Sequence, residues 1–312
     1  MVKSIKIGTR GSQLALYQAN RVKSELETCF PGQNFEIEII KTKGDIILDV
    51  ALSKIGDKGL FTKEIETALF DGKVDLAVHS LKDLPTVLPD GLELGAVLKR
   101  GEFRDALVSV SGKKIAELDE ADIIATSSLR RRAQLLALNP NFKIIDIRGN
   151  VNTRLQKMKS GYCTAMIMAA AGLQRIGFEK QISEIIDEKV IIPAVSQGII
   201  GIETRKDDGF IKSFVDKIND RESQIRGNAE RVFLNVLEGG CQVPVGCFTS
   251  MDINNFTITG FISMPDGSKM IKGTMSGPLA EAENLAKSLA NLFFEQGAMQ
   301  IVEYIRKMNI KE

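Results

Sequence analysis

The chain has little of several residues on which common chemistries depend. Its 312 residues include one His, His79, and no Trp. A single His excludes a two-His metal site, and no GxSxG segment provides the nucleophile elbow of a Ser-His-Asp triad. The four Cys form no CxxC pair, which argues against structural zinc; they are Cys29, Cys163, Cys241 and Cys247. Neither GxGxxG nor GxxxxGK[ST] occurs, so these two kinds of nucleotide site are not indicated.

Neither sign of charge is in excess, and long apolar runs are missing. Lys and Arg total 41 against 40 Asp and Glu, a net charge of +1, so any anion site must be local. The longest nearly apolar run, Cys163–Leu173, is far shorter than the ~20 residues of a membrane span. The start, MVKSIKIGTR, lacks the apolar segment and cleavage site of a signal peptide. We expect a cytoplasmic protein with no membrane, metal or nucleic-acid partner.

Short β-branched runs alternate with amphipathic helical stretches, which predicts an α/β fold. SIKIGTRGSQLALYQANRVKSELE and DIIATSSLRRRAQLLALNP each give a strand, a polar turn and a helix, with Ser12 or Ser128 as the N-cap. TKEIETALFDGKVDLAVHS and NTRLQKMKSGYCTAMIMAA repeat a helix, a Gly and a strand. We predict two similar doubly wound lobes, of the type that periplasmic binding proteins have, and a smaller α+β C-terminal domain.

Breaks in the pattern set the predicted domain limits. A charged break lies in LKRGEFRDALVS and a Pro/Gly break in IIPAVSQGIIGIE. The first lobe is predicted to comprise residues 1–99 and 199–217, the second 104–193, and the C-terminal domain 221–312. Because ligands of such sheets bind beyond the strand ends, we expect the site in the crevice between the lobes.

A basic island lies between Thr126 and Arg154. It contains Lys143 and five arginines against the single Asp146; the arginines are Arg130, Arg131, Arg132, Arg148 and Arg154. If Ser128 caps a helix, three of them lie in the first turn, where each cation costs about 0.3–1 kcal/mol. A bound anion would offset this cost. We favour an anion site over the alternative, a solvated surface.

The segment VDLAVHSLKDLP ends a predicted strand in a polar turn that carries Ser80, Lys82 and Asp83. A carboxylate beside a Lys in a cleft can protonate a leaving amine or stabilise a cation. The same residues also suit a turn-capping Asp with a surface Lys, and spacing does not decide between the two. We interpret His79 as a packed, hydrogen-bonded strand residue rather than a base.

Cys241 is the best candidate for a nucleophile. It lies in EGGCQVPVG, where small residues leave a thiol reachable from a cleft. Cys29 ends a helix, Cys163 begins a strand and Cys247 follows Gly246 into one, so each is interpreted as a small core residue. A core role remains the alternative for Cys241 too.

Together these segments resemble the porphobilinogen deaminase (hydroxymethylbilane synthase) family nearly from end to end. The resemblance rests on IGTRGSQLAL, KTKGDIILD, KGLFTKEIE, DLAVHSLKDLP, FRDALVS, TSSLRRRAQL, IRGNVNTRL, AAAGLQRIG, IPAVSQGIIGIE and EGGCQVPVG. Gln13 stands where a Pro is common, and Ser196 stands where the family often has Gly. Neither departure removes a reacting group.

The resemblance implies an enzyme of porphyrin and heme biosynthesis that deaminates four porphobilinogen molecules and joins them head to tail into hydroxymethylbilane. It implies a monomer without a metal. Asp83 would be the catalytic carboxylate, and Cys241 would carry a dipyrromethane cofactor as a thioether. Contacts to the cofactor would come from Lys82, Asp83, Thr126, Ser128, Arg130 and Arg131. Substrate contacts would come from Arg10, Ser12, Phe61, Ser127, Arg148, Arg154, Arg175 and Gln197.

Two further expectations accompany the resemblance. Residues Ile46–Phe61 are predicted to form a mobile cover over the cleft, with Lys54, Lys58 and Phe61 facing the cofactor or growing chain. The alternative to an enzyme is a non-catalytic two-lobed protein that binds or senses anions, because a fold by itself does not decide function.

Overall fold

The structure is a computed structural model that describes residues 4–46, 59–237 and 243–311. The strands of this part are β1 (Ile5–Thr9), β2 (Phe35–Ile39), β3 (Leu76–Ser80), β4 (Leu92–Val97), β5 (Asp105–Ser109), β6 (Ile123–Ala125), β7 (Lys143–Ile145), β8 (Ala165–Ala169), β9 (Glu184–Ile185), β10 (Ile200–Arg205), β11 (Val245–Met251), β12 (Asn255–Ser263) and β13 (Met270–Pro278). The helices are α1 (Gln13–Cys29), α2 (Lys43–Ile46), α3 (Lys63–Phe70), α4 (Leu129–Leu138), α5 (Val151–Lys159), α6 (Ala170–Arg175), α7 (Gly209–Val215), α8 (Arg221–Val236), α9 (Ala282–Glu295) and α10 (Ala298–Lys311).

The described residues divide into two compact units. One comprises residues 4–46, 59–101 and 198–225, and the other comprises 102–197 together with 226–311. The chain therefore passes from one unit to the other after residues 101, 197 and 225. In this division the C-terminal segment groups with the second lobe, whereas the sequence predicts it as a domain of its own.

The first unit is built on a sheet of order β2-β1-β3-β10-β4. Strand β1 runs parallel to β2 and β3, whereas β10, the first strand after the chain returns, runs antiparallel to β3 and β4. Helix α1 buries Val22 and Leu26 with Leu76 on one face of the sheet. Helix α3 buries Ile65 and Leu69 with Ala77 of the same strand. Both faces of the sheet are thus covered, as a doubly wound lobe requires.

The second lobe repeats this arrangement with the order β7-β6-β8-β5-β9. Strand β6 runs parallel to β7 and β8, and β5, the first strand after the chain enters, runs antiparallel to β8 and β9. The two similar lobes of the periplasmic-binding-protein type predicted from the sequence are therefore confirmed. In each sheet one strand, β10 or β5, runs antiparallel to both of its neighbours, because it is inserted in the reverse direction.

The C-terminal segment forms an antiparallel sheet of order β11-β12-β13 with α9 and α10 against it. The rings of Phe233 on α8 and Phe293 on α9 meet edge to face at 5.5 Å. Gly260 of β12 leaves the space that the Phe233 ring occupies, since a Cβ there would lie 2.5 Å from it. This confirms the predicted smaller α+β domain. Among the described residues, no helix combines the length and apolar character needed to cross a membrane.

Candidate functional site

A pocket opens at the carboxyl ends of β1 and β3, where α1 and α3 begin. Its walls carry Arg10, Ser12, Leu14, Ala15, Gln18, Phe61, Thr62, Val78, His79, Ser80 and Asp83. Asp83 ends a short 3-10 turn, Leu81–Asp83, that follows β3 directly. The N–H of Leu81 donates to the carbonyl of Ile199 at 3.0 Å, and the Leu81 side chain is buried. The turn is therefore anchored, while Lys82 and Asp83 remain exposed.

Two predicted residues of this pocket hold its backbone in place. Ser12 caps α1, its Oγ accepting the Ala15 N–H at 3.3 Å, which confirms the predicted N-cap. The buried Gln18, which the sequence analysis missed, donates through Nε2 to Ser80 Oγ at 2.8 Å. Gln18 therefore links the first turns of α1 to the strand end that leads to Asp83.

Arg10, predicted to bind substrate, already has an anionic partner in the protein. Its Nε lies 3.1 Å from Asp45 Oδ1, and Thr42 Oγ1 donates to Asp45 Oδ2 at 2.8 Å. Burial acts to raise the pKa of Asp45, but the bonds and charge of Arg10 and the bonds from Thr42 hold that pKa below its usual value. The guanidinium also lies 4.2 Å from the centre of the Phe61 ring. Arg10 and Phe61 thus form one side of the pocket, fixed by Asp45.

In the second lobe, the basic island is organised by α4. Ser128 caps this helix by accepting the Arg131 N–H at 3.5 Å, as predicted. Arg130 and Arg131 are buried, and each donates through Nη2 to the fully buried Asp105, at 2.8 and 2.7 Å. The protein itself therefore supplies an anionic partner for these two charges. Asp105 is the first residue of β5. In the sequence, the one indication that such a counter-charge is needed was the basic island itself.

The Asp105 carboxylate is surrounded by donors. Gln197 Nε2 donates to its Oδ1 at 2.9 Å and to the Phe103 carbonyl at 2.8 Å. Burial acts to raise the pKa of Asp105, but the charges of Arg130 and Arg131, with hydrogen bonds from Arg131 and Gln197, keep that pKa far below its usual value. Asp105 is consequently ionised at neutral pH, and it fixes both guanidinium groups and Gln197.

Other predicted site residues of the second lobe form hydrogen bonds with backbone atoms of its loops. Ser127 Oγ donates to the Ile147 carbonyl at 2.8 Å, and Thr126 Oγ1 accepts the Ser128 N–H at 3.3 Å. Arg154 Nε donates to the carbonyl of Gly149 at 2.8 Å. Gly149 has a φ of 112°, a conformation that L side chains rarely adopt. Arg175 ends α6.

Two buried guanidinium nitrogens of this lobe have no hydrogen-bond partner among the described residues. They are Nε of Arg131 and Nη1 of Arg148. Buried polar atoms are normally paired, and an unpaired one calls for an explanation such as a missing ligand. Guanidinium groups suit carboxylate oxygens in charge and shape. The second lobe can therefore accept carboxylate groups in addition to Asp105.

The cysteines separate by burial. Cys163 and Cys247 are buried, as predicted, and burial raises the pKa of the Cys163 thiol to about 11. Cys29 is exposed at the end of α1, so its interpretation as a core residue is wrong. Cys241 lies outside the described residues, between α8 and β11. The predicted cover falls mostly on residues 47–58, which also lie outside, with Lys54 and Lys58 among them.

Comparisons with known proteins match almost all of the chain. Residues 5–213 match the family model described as porphobilinogen deaminase, dipyromethane cofactor binding domain, and residues 225–295 match the model for the C-terminal domain of that family. The porphobilinogen deaminase of Syntrophomonas wolfei is 47% identical over 98% of this chain and 100% of its own length. That of Pelotomaculum thermopropionicum is 45% identical over 100% of both chains.

Proposed function

The chain belongs to the porphobilinogen deaminase family, and on this basis we propose that it deaminates porphobilinogen and joins four molecules into hydroxymethylbilane with Asp83 as the catalytic carboxylate. The observation that carries the function is the match to both family models in order along one chain, at residues 5–213 and 225–295. A non-catalytic anion-binding protein is not favoured, because it gives no reason for a cofactor-binding domain.

The residues present suit a dipyrromethane, whose acetate and propionate groups are carboxylates. The buried Arg131 Nε and Arg148 Nη1, without partners among the described residues, are donors of the required kind. We propose that the cofactor is attached to Cys241 and contacted by Lys82, Asp83, Thr126, Ser128, Arg130 and Arg131. When bound, the dipyrromethane supplies the pyrrole end to which the first substrate is joined.

We propose Asp83 as the fixed anion of the reaction, because it ends an anchored turn in the pocket wall. Loss of ammonia from porphobilinogen leaves a positive charge shared between the methylene carbon and the pyrrole nitrogen. A carboxylate on an anchored turn stabilises such a charge without having to reorganise. The neighbouring pocket residues Arg10 and Ser12 are proposed to hold substrate carboxylates, and the Phe61 ring to lie against a pyrrole.

The substrate contacts proposed in the second lobe are Ser127, Arg148, Arg154, Arg175 and Gln197. Of these, Arg148 provides the sharpest test, because one of its donors is buried without a partner in the described chain. Gln197 and Arg154 also hold backbone carbonyls, so their replacement changes local structure as well as binding.

We expect Arg148→Leu to lower kcat/KM for porphobilinogen by roughly 10- to 100-fold, because this is the effect of losing one or two hydrogen bonds to a charged group. The midpoint of thermal unfolding should change little. The half-buried Arg148 already has one donor without a partner among the described residues, so its removal takes little stabilising interaction from the protein without ligand. Arg21→Leu on the exposed face of α1, where Arg21 pairs with Glu25, is the control. A steep fall of the midpoint with normal kcat/KM would mean that Arg148 is structural.

Intact mass spectrometry of the purified protein tests the cofactor proposal. We expect the wild type to be heavier than its sequence by one dipyrromethane, and Cys241→Ser to have the unmodified mass. Cys29→Ser is the matched control, since Cys29 is the exposed thiol of the described residues, and it should keep the adduct. An adduct retained in Cys241→Ser, or mapped to another Cys, contradicts the assignment.

We also propose that the enzyme works as a cytoplasmic monomer on this small-molecule substrate, without a nucleic-acid or membrane partner. The near-neutral net charge of +1 supports the absence of a polyanionic partner. Light scattering at catalytic concentrations measures the oligomeric state, and a dimer mass contradicts the monomer.

A further inference from the structure

Three titratable side chains are buried together in the first lobe, beside the pocket that Asp83 lines. His79 Nε2 on β3 lies 2.9 Å from Glu203 Oε2 on β10, and the two side chains are 4% and 0% exposed. Glu66 on α3 is also buried, and its interaction with both groups is strong enough to affect its ionisation. His79 and Thr62, the residue before α3, are part of the pocket wall.

The sheet register places these side chains on one face. Strands β3 and β10 are antiparallel, with Glu203 opposite Ala77 and Gly201 opposite His79. Side chains two residues apart share a face, so His79 and Glu203 are diagonal neighbours on the Ala77 side. This is the face that α3 covers, because Ala77 packs with Ile65 and Leu69. Glu66 therefore lies above a His-Glu pair in the sheet.

The cluster cannot hold its full negative charge. With both carboxylates ionised and the imidazole neutral, it would bury two negative charges, which is costly away from water. Both Glu66 Oε1 and Glu203 Oε1 are buried without a hydrogen-bond partner among the described residues. Burial raises the pKa of Glu66, and the Glu203 charge adds to this, although Thr62 and His79 act against it. Of the two carboxylates, Glu203 has the imidazole of His79 as a hydrogen-bond partner, whereas burial disfavours charge on Glu66.

The contact between His79 and Glu203 requires a proton. A separation of 2.9 Å between an imidazole nitrogen and a carboxylate oxygen is a hydrogen bond, and one of the two atoms must carry the hydrogen. With Glu203 ionised, that hydrogen is on Nε2 of His79. A carboxylate that orients an imidazole in this way fixes its tautomer, as in other His-carboxylate pairs.

We propose that Glu203 is a positioning residue for the reaction: it is the ionised member of the cluster and holds His79 in the pocket wall, while Glu66 stays protonated. This rests on the proposed function of the pocket. A buried charged pair is weak evidence for stability, since apolar residues would serve a sheet at least as well. A fixed negative charge beside the pocket has a use in the reaction, because it favours the same substrate cation that Asp83 stabilises.

Further charged residues lie on the elements that form the cluster and on the pocket wall. Glu64 lies on the same helix and also affects Glu66, and Arg10 and Asp83 stand on the pocket wall. Arg205 of β10 donates to Asp208 and to the Leu69 and Val74 carbonyls. Replacement of Glu203, the proposed charged member of the cluster, should differ in its effect from replacement of Glu66, the proposed neutral member.

Paired amide substitutions test it in the cofactor-loaded enzyme. Glu66→Gln replaces a neutral group by a neutral one and should leave kcat within about twofold of the wild type. Glu203→Gln removes a charge and should lower kcat by roughly tenfold with KM within about twofold, since tenfold is the scale of one modest electrostatic interaction. Glu93→Gln on β4, where Glu93 pairs with Lys212, is the control outside the pocket. Equal effects of the Glu66 and Glu203 substitutions would overturn the proposal.

Two spectroscopic measurements do not depend on turnover. His79 is the only His, so the ring nitrogens of uniformly labelled protein report on it without assignment variants. We expect a hydrogen on Nε2 in the wild type and in Glu66→Gln, and altered nitrogen shifts in Glu203→Gln. We expect the infrared carbonyl band of a buried carboxylic acid to vanish in Glu66→Gln and to persist in Glu203→Gln. Loss of that band in Glu203→Gln alone would place the proton on Glu203 and overturn the assignment. A wild type that makes no hydroxymethylbilane would refute the proposed function, and these spectra would still decide the charge assignment.

Discussion

Asp83→Asn is expected to lower turnover by at least about 100-fold, the loss typical of a positioned acid-base or electrostatic group. The substitution keeps the shape of the side chain but removes the negative charge that the substrate cation needs. The anchor of the turn, the Leu81 N–H bond to Ile199, does not involve the Asp83 side chain, so folding should be preserved. Porphobilinogen should still bind, because its carboxylates meet other residues.

The comparison requires equal loading with cofactor, since assembly of the cofactor uses the same chemistry. Intact mass separates loaded from unloaded protein, and turnover is expressed per loaded molecule. Asp90→Asn, at an exposed carboxylate just before β4, is the matched control and should have normal turnover. Near-normal turnover of loaded Asp83→Asn would exclude Asp83 and make Asp45 the next carboxylate to test.

The second large effect is expected on stability. Asp105→Asn leaves the buried Arg130 and Arg131 without their carboxylate, and breaking a buried pair in this way costs about 3–5 kcal/mol in the free energy of unfolding. Denaturant titration measures this loss. Asp119→Asn at the surface, where Asp119 pairs with Lys113, is the control and should lower the free energy of unfolding far less, because solvent screens an exposed pair. An Asp105→Asn protein as stable as the wild type would contradict the structural role of Asp105.

Acid should reveal the same interaction in the wild type. The folded pKa of Asp105 is far below its usual value, so the folded protein releases this proton more readily than the unfolded chain. The resulting stability is present above the unfolded value, about pH 3.9, and is lost as pH falls through the lower folded pKa. The difference in unfolding free energy between wild type and Asp105→Asn should therefore shrink below about pH 4.

Features that depend on neighbouring residues were predictable from the sequence. The N-caps Ser12 and Ser128 follow from a polar residue at the start of an apolar helical pattern, and both are present. The two lobes follow from the repeated order of strands and helices. Strand direction at β5 and β10 was not predictable in this way, because it depends on where the chain re-enters each sheet.

The missed residues of the site are partners that are distant in sequence. Asp45 is 35 residues from Arg10, Gln18 is 62 from Ser80, and Glu203 is 124 from His79. No local pattern indicates such pairs, because only the folded sheet brings their side chains together. His79 was correctly predicted as a hydrogen-bonded strand residue, yet its partner could not be named.

The placement of β10 also determines the order in which the lobes are completed during synthesis. Among the described residues, the strands of the second-lobe sheet all lie within residues 105–185, so they are available once that segment has left the ribosome. The first lobe has β10, residues 200–205, between β3 and β4, and until it emerges β4 has no neighbour in its sheet. The sheet of the first lobe is therefore completed after that of the second, and a nascent chain stalled before residue 200 carries an open sheet edge for a chaperone to cover.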